Sequence, residues 1–204
     1  IDGCFNTGTI SGTDYVGGIA GSTDTVSNCY NVGAISGTDN VGGIAGDADN
    51  TMTHCFNTGT ISGTEDTGGI VGLLSSGVIV ECYNMGVVTG TISIGGLVGS
   101  ITSGVVQDCY STGLVTGTGA NIGGLVGKYT GSNVHASYWN TETSGQTTSA
   151  GGEGKTTAEL MQQATYFFWD FSTVWGMPCD GSSYPYLLIF PPDPIMDPVN
   201  VTIN

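Results

Sequence analysis

The chain has 204 residues, with 17 aspartates and glutamates against two lysines (Lys128 and Lys155) and no arginine, a formal net charge of −15. Binding to nucleic acid or to an anionic membrane surface depends on clustered Lys and Arg, so both are excluded. Charged residues make up only 9% of the chain, against about a quarter in ordinary globular domains. The 36 glycines suit short strands joined by tight corners better than helices.

One pattern is written five times: Cys-(Phe/Tyr), usually Asn-x-Gly, an aliphatic, (Ser/Thr)-Gly-Thr, then Gly-Gly-(Ile/Leu)-(Val/Ala)-Gly. The copies start at Cys4, Cys29, Cys55, Cys82 and Cys109, so the period is 25, 26, 27 and 27 residues. A fixed period of this size marks stacked units, none of which buries its apolar face alone. Each unit reads as three short strands: one running through the cysteine, one carrying Ile10, Ile35, Ile61, Val88 or Val115, and one carrying Ile19, Ile44, Ile70, Leu97 or Leu125. Turn signals separate them and no helical period is present. The expectation is an all-β β-solenoid of about five coils, spaced about 4.8 Å apart and so about 24 Å long. Stacking then lines up columns of Cys, of Phe/Tyr, of Asn and of Ile/Val. Period-two alternation puts Val26 and Tyr30 on one face and Cys29 on the other, which demands a bend or outward aromatics.

After residue 140 the repeat stops, with Ser137 standing where a cysteine would. Residues 141–190 read as a small, aromatic-rich α/β cap over the open C-terminal end. It holds a helix near Thr156 to Ala164, started by a Thr156/Glu159 capping box. Residues 191–204 form a Pro-rich linker and a strand-like tail, in which Val199, Val201 and Ile203 alternate with polar residues. No leader and no apolar run of transmembrane length is visible. The chain opens inside a repeat, as an excised or processed piece of something longer would.

The chemistry-bearing residues point away from catalysis. Cys4, Cys29, Cys55, Cys82 and Cys109 form a structural ladder, with Cys179 apart. A reduced buried column fits best; a disulfide between coils and a metal site stay open, though paired zinc-type spacing is missing. Gly151 to Thr156 lacks the first glycine of a phosphate loop, with Ser149 in its place. Asp14, Asp39 and Glu65 align, as do Asn28, Glu81 and Asp108, which leaves a remote reading as a polysaccharide-active enzyme. Asp47 and Asp49 are weak calcium candidates; no other cofactor is expected. His54 and His135 have no local nucleophile partner. Thr13, Thr38, Thr64, Thr91 and Thr118 follow glycine in register, which is turn chemistry.

The Gly-Gly-Leu-Val-Gly lines at Gly95 to Gly99 and Gly123 to Gly127, preceded by Cys-Tyr-Asn-x-Gly, resemble the GLUG-motif repeats of bacterial and archaeal surface proteins. The stretch from Ser137 to Gly145 and the one from Trp169 to Leu187 are similar to the segment C-terminal to such arrays. The resemblance covers about residues 1 to 190 and implies a secreted or cell-surface protein with no catalytic residues. The expected function is therefore non-enzymatic: an extracellular filament or sheath subunit, polymerising head-to-tail with itself through its C-terminal tail strand. The alternative is a stalk or ligand-binding segment of a large adhesin that meets a host or cell-surface ligand.

Overall fold

The computed structural model describes residues 1–131, 133–178 and 180–190. They form a β-solenoid of about five turns, and corresponding strands of successive coils pair in parallel and in register. Each coil carries five strands of two to four residues where the sequence suggests three. In the second coil these are Val26–Ser27, Tyr30–Asn31, Ile35–Ser36, Asp39–Gly42 and Ala45–Ala48. Two expected strands each split at a sharp corner. One corner falls at Asn28, His54, Glu81, Asp108 and Ala136, all with φ between 41° and 55°. The left-handed residue reverses the alternation, so Val26 and Cys29 both point inward while Tyr30 turns out to the flank. Such a bend was the condition the period-two pattern imposed. The second corner follows the Gly-Gly pair, between Gly42 and Ala45.

The growth of the period is confined to single sites. Thr23 pairs with Ala48, whereas Met52 pairs with Val26, so the extra residue of that turn sits in the corner at Asp49 and Asn50. The next falls in the corner from Ser75 to Gly77. Thr118 is an insertion of the same kind. Gly119, not Thr118, donates its N–H to the Thr91 carbonyl, so the threonine column ends at Thr91.

In cross-section the coil holds two apolar lobes. The larger contains Val26, Cys29, Ile44, Ala45 and their equivalents; the smaller contains Val16, Ile35, Val41, Ile61, Val88, Ile94 and Val115. Between them runs a buried column of asparagines. Asn6 Nδ2 donates to Asn31 Oδ1 at 2.8 Å, Asn31 to Asn57 at 2.7 Å and Asn57 to Asn84 at 2.8 Å. Each amide also closes on its own turn: Asn57 Nδ2 donates to Gly59 O at 2.9 Å and Asn57 Oδ1 accepts from Gly59 N at 3.1 Å. These bonds offset the desolvation cost of burying the amides. The column also explains the Gly-Gly signature. A Cβ on Gly43 would run into the Asn57 side chain and the Gly69 carbonyl, and one on Gly69 into Asn84 and the Gly96 carbonyl.

Parallel stacking continues past residue 140, the boundary expected for the repeats. Tyr138–Asn140 adds a sixth rung to the aromatic-bearing sheet and Glu153–Lys155 a seventh. The open end is closed by this partial coil. Thr148 O accepts from Gly124 N, Ser149 Oγ accepts from Leu125 N and Val126 N, and Trp139 takes the place of the asparagine column beneath Gly124. Residues 156–190 therefore do not cap the end; they lie along the side. The helix is shorter than expected, Thr157–Leu160, and a 3-10 turn at Gln163–Thr165 comes after it. Its capping box at Thr156 and Glu159 is formed.

Candidate functional site

The stretch from Tyr166 to Phe190 runs back along the solenoid against a column of outward aromatics. Phe5, Tyr30, Phe56, Tyr83 and Tyr110 stack with ring centroids 5.0 to 5.2 Å apart and planes within 8°. Tyr166 and Trp169 meet Tyr138, Trp175 meets Tyr110 and Tyr83, and Phe190 stands edge-on to Phe56 and Tyr30 at 5.2 and 5.4 Å. Trp169 and Trp175 stack on one another at 4.4 Å. Three side-chain hydrogen bonds fix the strap: Trp169 Nε1 donates to Ala136 O, the Tyr110 hydroxyl donates to Pro185 O, and Asn140 Nδ2 donates to the Tyr184 hydroxyl. Burial pushes the Tyr110 hydroxyl far above its usual range, so it remains a donor at all ordinary pH. Phe5, the last ring of the column, is left 62% exposed.

The cysteine ladder is real and its chemistry is visible. All five of its thiols are free; Cys4 is exposed and the other four are buried. Each thiol donates to the carbonyl two residues earlier, as Cys82 does to Val80 O and Cys109 to Gln107 O. Backbone N–H groups donate across coils to the next sulfur, from Cys4 to Cys29, Cys55 to Cys82 and Cys82 to Cys109, at 3.2 to 3.4 Å. Ser137 ends the column with the same two bonds: its hydroxyl donates to His135 O at 2.7 Å and accepts from Cys109 N at 3.1 Å. A hydroxyl that substitutes bond for bond marks the thiols as hydrogen-bonding spacers. Burial pushes the Cys82 thiol well up, which suppresses the reactive thiolate. We expect Cys4 to be alkylated by iodoacetamide in the native protein, and Cys29, Cys55, Cys82 and Cys109 only on unfolding. Peptide mapping by mass spectrometry checks this, and rapid native labelling of Cys82 would refute it. Cys179 lies outside the described residues.

The other candidates are dispersed. Asp14, Asp39 and Glu65 form an outward row by direct register. Asp47 Oδ1 accepts from Ser75 Oγ at 2.7 Å, and Asp49 N donates to Thr23 O as a corner residue. Among the described residues no three of His, Cys, Asp and Glu gather as a metal site. His54 shares the corner column with Asn28, Glu81 and Asp108, and its Nε2 lies 2.8 Å from Glu81 Oε2. His135 sits one position earlier, opposite Gln107. The Gly151 to Thr156 stretch is no phosphate loop, because Glu153–Lys155 is a rung of the aromatic-bearing sheet and Lys155 Nζ binds Glu153 Oε1 at 2.6 Å. Val199, Val201 and Ile203, the expected assembly tail, lie outside the described residues. No described helix is long and apolar enough to cross a membrane.

The most exposed aromatic pair among the described residues lies outside the repeats. Phe167 and Phe168 leave the strap where it crosses the last coils and project into solvent, 69% and 95% exposed. No repeat position corresponds to them, so periodicity gives no signal; the run from Tyr166 to Trp169 reads only as part of the aromatic-rich cap.

No family model and no curated protein matches this chain. Among solved structures it is similar to a crystal structure from Bacteroides ovatus described as that of a candidate immunoglobulin A1 protease, with a TM-score of 0.58 at 20% identity. The likeness covers 93% of this chain and 57% of that one, so the chain spans little more than half of its neighbour. At this identity the likeness is one of fold.

Proposed function

We propose that the chain is a non-enzymatic structural rod of an extracellular or cell-surface assembly, joined to copies of itself through the segment after Phe190. The carrying observation is the set of continuous columns. Amides, thiols and rings, the groups that would otherwise do chemistry, spend their bonding capacity on the coil above or below. In such an array stability accrues with each stacked neighbour, which suits a rod. The resemblance to GLUG repeats supports a surface location. Rods of this kind join where an added strand pairs with a coil edge, by β-augmentation. The alternating Val199, Val201 and Ile203 have the pattern such a strand needs, and a contact of this head-to-tail kind propagates.

Truncation after Phe190, compared with the full chain by negative-stain microscopy and sedimentation, tests this. The full chain is expected to give regular fibres and the truncated one single rods. Fibres that survive truncation remove the tail from the contact. A full chain that stays dispersed overturns the filament reading in favour of the second, a stalk or ligand-binding segment of a larger surface protein. That second reading draws on the similarity to a chain of which this one spans 57%. The neighbour's protease description supplies no residue to carry over, and no catalytic role is proposed for this chain.

A further inference from the structure

We infer that the cleft beneath Phe167 and Phe168 is a binding site for a neutral saccharide. It has a volume of about 570 Å³, and its walls include His135, Tyr138, Glu153 and both phenylalanines. That size is within the range of small-ligand sites.

The Phe residues are the first argument. An apolar ring that folding does not bury gains nothing from the core, and Phe168 also holds a φ of 69°, a region that bulky residues rarely enter. Its neighbours bend the other way: Tyr166 is buried with its hydroxyl donating to Leu160 O at 2.6 Å, and Trp169 is buried against Ala136. The strap is thus pinned on both sides of two residues held outward. Their rings are 6.2 Å apart and inclined by 56°, an open pair of faces at the cleft mouth. An outlier held by well-packed flanks is the pattern of a ligand clamp.

Charge and hydrogen bonding select the ligand. A chain of net charge −15 repels sialylated, sulfated and uronic-acid sugars. Glu153 is the acid lining the cleft, and Lys155 Nζ pairs with it at 2.6 Å. What remains is flat apolar faces beside groups that donate and accept: an exposed imidazole at His135 and the solvent-facing carboxylate of Glu153. A pyranose ring has the matching surface, an apolar C–H face with hydroxyls at its rim. The rings would take the face and His135 and Glu153 the hydroxyls. The site is independent of the filament reading, since it lies on the flank and uses neither the tail nor the first coil.

The test is calorimetric titration of the full chain with maltohexaose, cellohexaose, mannohexaose and chitohexaose, with sialyllactose and a lysine hexapeptide as charged controls. At least one neutral hexasaccharide is expected to bind with micromolar to millimolar Kd. Phe168→Ala and Phe167→Ala should each weaken it tenfold or more at an unchanged melting temperature, and His135→Ala by a smaller factor. Binding to none of the neutral sugars overturns the site, as does binding that both Phe variants retain. A preference for either charged control overturns the ligand class.

Discussion

Trp175→Ala is expected to lower the free energy of unfolding by about 3–5 kcal/mol, the range for deleting a large aromatic from a packed core. Trp175 is fully buried and makes ring contacts with Trp169, Tyr83 and Tyr110 at 4.4, 6.1 and 6.0 Å. It holds the strap to the middle of the aromatic column, so the variant should also release residues 156–190 before the solenoid melts. Denaturant unfolding would then show two transitions in place of one. Trp175→Phe is the control. The Nε1 of Trp175 is buried without a partner, so losing that group relieves a desolvation cost and the loss should fall to about 1–2 kcal/mol. Equal losses in the two variants, or a single unchanged transition for Trp175→Ala, would show that the strap is not held by this stack.

A comparable loss, about 3 kcal/mol or more at pH 7, is expected for Asn57→Asp, because it places a charge in a fully satisfied buried network. Asn57 Nδ2 now donates to Asn84 Oδ1 and to Gly59 O. A carboxylate would turn an acceptor towards both, while still accepting from Asn31 Nδ2 and Gly59 N. Burial and the facing oxygens would raise the carboxyl's folded pKa above the unfolded value of about 3.9. A group with a raised folded pKa is least destabilising below its unfolded pKa, and the cost grows as pH rises through the folded one. The difference from wild type should therefore be small at pH 3 and large at pH 7, read by denaturant midpoints at both. Asn6→Asp is the internal comparison, since Asn6 is only partly buried and donates to Asn31 and Gly8 in the same way. A pH-independent deficit at Asn57 would mean that the charge is relieved by water entering the column.

The period, the parallel stacking and the identity of the columns are properties of the sequence alone. A 25- to 27-residue repeat places Cys over Cys, Tyr over Phe and Asn over Asn whatever the path of the coil, because in-register parallel pairing is what a repeat encodes. The Ser137 echo and the Thr156 capping box are legible for the same local reason. The number of corners is not. Asn28 and His54 are types that tolerate φ near +54°, but Glu81 is not, and whether the chain turns there depends on the ladder bonds gained. The direction of the aromatic strap was also beyond reach. Hydrophobic content marks the residues from Tyr166 to Leu187 as buried, but whether they cover an end or a flank is decided by competition. The partial coil from Ser144 to Lys155 satisfies the end with backbone bonds, and the strap packs on the column of outward rings instead. Phe167 and Phe168 show the limit most clearly: they have the same composition as their buried neighbours, and only the packing of Tyr166 and Trp169 on either side turns them to solvent.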